Sequence, residues 1–185
     1  MSEVGSDAAN IRSISPSEGG RPTIELSGTM ASYISIRPAT ARDVETLARF
    51  NAAMAMETEK LRLSLPRLRR GVRAVLRNQE HGFYIVAIQN GTVIGQLLVT
   101  FEWSDWRNGQ FWWIQSVYVV PDHRRKGVMR ALFTEVRRRA KKTRRICGLR
   151  LYVEKENQTA KRTYEKLGLT ATHYLVCEDD FVLRR

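Results

Sequence analysis

Apolar residues along this chain recur with two periods, and the switches between them outline its elements. Tyr33-Ile34-Ser35-Ile36-Arg37-Pro38 alternates with period two and stops at proline, which predicts a short first strand. Thr40 followed by Asp43 has the form of a helix N-cap with an acidic third position. Val44, Leu47, Ala48, Asn51, Met54 and Ala55 then share one helical face, and the helix is expected to end near Glu57-Thr58-Glu59. A second helix is predicted from Leu65 to about Arg77, with Pro66 in its first turn. Its Leu65, Leu68, Val72, Val75 and Leu76 point inward and Arg67, Arg69, Arg70 and Arg73 largely outward.

The period then returns to two. Phe83–Ile88 and Thr92–Phe101 flank Asn90-Gly91, a pair suited to the tight turn that needs positive φ at both central residues, so they predict a hairpin. Arg107-Asn108-Gly109 marks another turn, and Phe111–Val119 is apolar and aromatic enough for a central strand. Val128, Met129, Leu132, Phe133, Val136 and Ala140 mark a third helix beginning after Gly127. Leu149–Val153 reads as a fifth strand, Asn157–Leu167 as a helix ended by Gly168, and Thr170–Val176 as a last strand. Phe181-Val182-Leu183 follows as a short return. The predicted order, β-α-α-β-β-β-α-β-α-β, is an α/β (α+β) mixed sheet with helices on both faces. Residues 1–31, rich in Ser, Gly and Pro without sustained period, are expected to form a disordered tail, leaving 32–185 as one domain.

Charge changes this picture at one place. The chain of 185 residues carries a formal net charge of +12, and residues 120–150 hold twelve Lys or Arg against only Asp122 and Glu135. Arg124, Arg125, Lys126 and Arg130 surround the start of the third helix, where free N–H groups and the positive end of the helix dipole attract anions. Gly127 lets the backbone approach an oxygen closely. The run from Arg137 to Arg145 reads as a solvated helix end, with a nucleic-acid or acidic-partner surface as the alternative. Cys147 and Cys177 form no metal-type cluster and are expected to be reduced, so no metal site is assigned. No run matches a membrane span or a secretory leader, which makes a cytoplasmic protein the expectation.

Two motifs resemble one family. Val119-Val120-Pro121 followed by Arg124-x-x-Gly127-x-Met129 is similar to the acetyl-CoA pyrophosphate loop of the GCN5-related N-acetyltransferases, the GNAT family, which usually has Gly or Ala in place of Met129. Asn157-x-x-Ala160-x-x-x-Tyr164-Glu165-x-x-Gly168 resembles the second signature of that family. The resemblance covers residues 33 to about 176 and implies the GNAT-like acyl-CoA N-acyltransferase fold, with acetyl-CoA as co-substrate. It further implies that backbone groups of Val117, Tyr118 and Val119 pair with the pantetheine arm like an added strand. The loop Arg124, Arg125, Lys126, Gly127, Val128, Met129 and Arg130 would hold the pyrophosphate, Asn157 the arm, and Tyr164 would act on the leaving sulfur.

The implied reaction is direct attack of a primary amine, from a small molecule or a protein, on the acetyl carbonyl. It needs a proton acceptor for the amine, an N–H donor for the carbonyl oxygen and a proton for the thiolate. Glu57, Glu59, Glu102, Asp105 and Glu154 are candidates for the first role, with Glu178-Asp179-Asp180 as further attraction for a cationic amine. Phe101, Trp103, Trp106, Trp112 and Trp113 read as strand and hairpin packing, with one ring beside the acceptor pocket as the alternative. His81, His123 and His173 receive no role. The alternatives are a non-catalytic acyl-CoA-binding module and a basic nucleic-acid-binding protein; a monomer and a homodimer are equally compatible with the sequence.

Overall fold

The structure, a computed structural model, describes residues 23–24 and 33–182. Six strands form one sheet in the order β1 to β6: Thr23–Ile24, Ile34–Pro38, Phe83–Gln89, Thr92–Ser104, Gly109–Val119 and Ile146–Leu151. Neighbours are antiparallel except β5 and β6, which run parallel because helix α3, Val128–Lys142, crosses between them. The expected tail falls outside the described residues apart from Thr23–Ile24, which pair with Ser35 and Ile34.

Asn90 and Gly91 take φ of 49° and 75°, so the expected primed turn joins β3 to β4. Helices α1, Val44–Glu59, and α2, Leu65–Arg77, cover one face of the sheet through Val44, Leu47 and Val72 against Tyr84, Val86 and Leu98. Helix α3 covers the other, with Val128, Leu132, Phe133 and Val136 packed on Ile85, Ile94, Leu97, Val99 and Ile114. The two faces separate because successive side chains of each strand point in opposite directions. Asp43 accepts a hydrogen bond from the Thr40 N–H (2.7 Å) and a two-armed ion pair from Arg37, which ties the entry of α1 to β2.

Two expectations need correction. The fifth predicted strand lies at Ile146–Leu151 rather than 149–153, its start set by pairing of Gln110 with Ile146. Thr170–Val176 forms no strand: it pairs with nothing in the sheet and every residue in it is exposed. Strand-forming composition cannot make a strand without a partner for its backbone groups. Helix α4, Gln158–Lys166, ends as expected at Gly168, whose φ is 80°.

Candidate active site

The middle of β5 is irregular on both sides. Toward β4, Gln96 faces Tyr118 and Leu98 faces Gln115, so Ser116 and Val117 together oppose Leu97 alone. This is a β-bulge, and Ser116 takes the left-handed φ of 47° within it. A buried chain of amides holds it. Gln96 Nε2 donates to the Ser116 carbonyl (3.1 Å) and to Asn51 Oδ1 (2.5 Å), and Asn51 Nδ2 donates to the Tyr84 hydroxyl (3.2 Å). Burial pushes the Tyr84 phenol above its ordinary pKa, so it keeps its proton.

Toward β6, pairing ends at Ile114 opposite Leu151, whereas β5 continues to Val119. The strands part there, and among the described residues no strand pairs with that side of 115–119. The Val120 N–H bonds the Ile94 carbonyl of β4 (3.0 Å), so by the alternation of a strand Val119 directs its backbone groups to the open side. Its carbonyl accepts from Arg124 Nε at 2.9 Å.

The chain leaves β5 through a single turn, Pro121–His123, and enters α3 through exposed Arg124, Arg125, Lys126 and Gly127. Gly127 is the N-cap with φ of 82°, and the first helical bond runs from Ala131 N–H to the Gly127 carbonyl. The N–H groups of Val128, Met129 and Arg130 therefore have no partner inside the helix. Val128 is buried and Met129 packs at the margin of the core, so its bulk is accommodated away from the loop.

Above this edge stands a cluster that sequence reasoning saw only in pieces. Glu57, in the last turn of α1, accepts from the Tyr118 hydroxyl (3.2 Å) and from Arg124 (2.7 Å), and Arg124 lies over the Tyr118 ring. Burial first, and the Glu57 carboxylate second, raise the Tyr118 pKa, so the phenol stays a donor. Phe50 of α1 packs on the same ring. Of the other acidic candidates, Glu102 is engaged by Trp113 Nε1 and Arg150. Asp105 shapes the β4–β5 turn by accepting the Trp106 N–H, and Glu154 caps the turn before α4. Glu59 is exposed at the end of α1, and Glu178-Asp179-Asp180 lies in the segment after α4. Phe101 and Trp112 pack with Phe83 in the core, Trp113 stacks on Tyr152, and Trp103 and Trp106 are exposed.

Asn157 is the N-cap of α4, its Oδ1 accepting the Ala160 N–H at 2.9 Å, a bond that leaves its Nδ2 group available as a donor. Tyr164 is half-buried, and that burial raises its pKa. The signal that could have found the amide chain is polarity in apolar surroundings: Asn51 interrupts the buried face of α1, and Gln96 is fully buried in β4.

The family model described as Acetyltransferase (GNAT) family matches residues 50–169, which run from within α1 through α4 and include both motifs. The chain belongs to the GNAT family. Among solved structures it is similar to a possible acetyltransferase of Clostridium difficile 630, with 44% identity over 81% of this chain and 99% of that one and a TM-score of 0.75. A predicted acetyltransferase of Clostridium acetobutylicum, solved with acetyl-CoA, shares 19% identity over 79% and 96% of the two chains with a TM-score of 0.65. A transcriptional regulator of Bacillus halodurans C-125 shares 24% identity over 80% and 99% with a TM-score of 0.69. The last two establish likeness of fold alone. No curated protein sequence matches the chain. This GNAT member is thus an acetyltransferase by family. Among its described residues no helix is long and apolar enough to cross a membrane, and no group of His, Cys, Asp and Glu is placed to hold a metal.

Proposed function

We propose that the protein transfers the acetyl group of acetyl-CoA to a primary amine of a small molecule or a protein. The observation that carries this reading is the parting of β5 from β6 beside a helix whose first N–H groups are free and ringed by cations. An extended amide-bearing arm fits the first feature and a pyrophosphate the second. Val117 and Val119, on either side of Tyr118, would pair with the arm through their outward backbone groups, and Asn157 Nδ2 would add a donor to it. The N–H groups of Val128, Met129 and Arg130, with Arg124, Arg125, Lys126 and Gly127, would take the pyrophosphate. Acetyl-CoA supplies an activated acyl group and a leaving thiolate.

The chain's own residues supply the rest. Glu57 accepts the proton of the amine, since it is the acidic candidate that meets Tyr118 of β5 and Arg124 of the loop. A backbone N–H from Val117 or Val119 donates to the carbonyl oxygen as negative charge grows on it. Tyr164, kept protonated by burial, donates to the departing sulfur. A thermal melt with and without acetyl-CoA, followed by coenzyme A release across an amine panel, tests the reading. Ligand at about 100 times its Kd should add roughly 2.7 kcal/mol of stability. A melt unmoved by acetyl-CoA overturns the cofactor, and a shift without turnover on any amine returns the protein to a binding module.

A further inference from the structure

Helix α2 carries charge that its own stability opposes. Five of its thirteen residues are arginine and none is acidic. Arg67 stands in the first turn, where the positive end of the helix dipole repels a cation, and no carboxylate there offsets it. Arg67, Arg70, Arg73 and Arg77 follow one another at spacings of three, three and four, so like charges repel along one stripe. Arg69 is turned aside to Glu45, which Arg49 also approaches. The other four are exposed, and among the described residues none has an ion-pair or hydrogen-bond partner. The inner side of the helix is packed on the sheet through Val72, Val75 and Leu76, so the arginines do not anchor α2. Their complement lies outside the chain.

The surface between the arginines says which complement. It holds only Gly71 and Ala74, both exposed, and a Cβ on Gly71 would meet nothing within 4 Å. A membrane surface takes large apolar side chains from a helix, and a protein partner takes an aromatic or aliphatic anchor; this face offers neither. A phosphate backbone asks only for cations along its path and a surface low enough to approach. Guanidinium forks suit phosphate oxygens two at a time, and the stripe runs about 15 Å at roughly 1.5 Å a residue. With no aromatic ring in α2, nothing offers stacking to unpaired bases, which favours a duplex over a single strand. We infer that the outer face of α2 binds the phosphate backbone of duplex nucleic acid, Arg67, Arg70, Arg73 and Arg77 each meeting a phosphate. This surface is separate from the basic loop before α3, because α2 and α3 cover opposite faces of the sheet, so acetyl-CoA and a duplex are held at the same time.

The test is fluorescence anisotropy of labelled RNA and DNA duplexes of about 20 base pairs, titrated with the full chain in excess acetyl-CoA from about 50 to 200 mM salt. Four phosphate contacts should give a slope of log K against log salt of roughly −3.6 on DNA, a loss of about a hundredfold over that range. Replacing Arg67, Arg70, Arg73 and Arg77 together with Gln, itself a good helix former, should keep the fold and abolish the binding, and each single replacement should flatten the slope by about 0.9. Replacing Lys141, Lys142, Arg144 and Arg145 with Gln removes the same charge from exposed positions at the end of α3 and should leave the affinity within about threefold. Absence of binding to both duplexes at the lowest salt overturns the inference, as does binding that acetyl-CoA displaces. Equal losses in the two fourfold variants overturn it by reducing the effect to net charge. So does tighter binding of a single strand, of polyglutamate or of phosphatidylserine vesicles than of either duplex.

Discussion

Glu57 and Tyr164 test the chemistry at single residues, and their surroundings make the tests clean. Glu57 and Arg124 are both more than 40% exposed, so their ion pair contributes little to stability. Glu57→Gln should therefore leave the melting temperature nearly unchanged while lowering kcat by about 10²-fold or more, the usual scale for a lost general base. The deficit should narrow as pH rises, because the free amine then sheds its proton to solvent; a rate loss equal at every pH would remove Glu57 from proton transfer. Tyr164→Phe should lower kcat about tenfold to a hundredfold with little change in KM for acetyl-CoA, since it removes the proposed donor to the sulfur but keeps the ring. A KM effect alone would make Tyr164 a binding residue. The sequence exposed Tyr164 through its motif, whereas Glu57 stood among five equal acidic candidates. Contact with Tyr118, sixty-one positions away, is what distinguishes it.

The bulge in β5 and the cap of α3 are properties of elements. Gln96 is fully buried and bonds both Asn51 and the Ser116 carbonyl, so Gln96→Met would strand two acceptors. A loss of about 1–3 kcal/mol in urea unfolding is expected, with a fall in kcat because Val117 follows directly on the strained Ser116. Full activity in a destabilised Gln96→Met would show that the bulge holds without its amide chain. Gly127→Ala forces a side chain into a left-handed position, at a cost of about 1 kcal/mol or more, and should raise KM for acetyl-CoA more than it lowers kcat. Gly127 was legible as a cap from the apolar period that follows it. The bulge was not, because a one-residue excess in β5 shows only against the register of β4.

Across the whole molecule, acid stability depends on two buried carboxylates paired with arginine, Asp43 joining α1's entry to β2 and Glu135 within α3. Hydrogen bonding from Arg37 chiefly, with that from Thr40, holds Asp43 below its ordinary pKa, and Arg138 chiefly, with Arg139, does the same for Glu135. The folded chain thus takes up these protons less readily than the unfolded one. Their contribution is complete above the ordinary carboxylate values of 3.8 and 4.5 and is lost as pH falls through the lower folded values. Asp43→Asn and Glu135→Gln should each destabilise at pH 7, and the gap to the wild-type chain should narrow progressively as pH falls below about 4 in denaturant unfolding. A gap that persists in acid would mean that packing rather than charge is lost.

The four helices, the Asn90-Gly91 hairpin, the basic loop before α3 and the two motifs could all be read from the residues alone, because each depends on residues close together in the chain. Periodicity, turn chemistry and capping are local, and so are legible. Three-dimensional contact settled which carboxylate meets Tyr118 and Arg124, how Asn51, Tyr84, Gln96 and Ser116 join, and where β5 and β6 part. It also decided that Thr170–Val176, a strand by composition, stays unpaired within its own chain. Those are facts of register and of contact between distant segments, and a strand exists only where another backbone satisfies its hydrogen bonds.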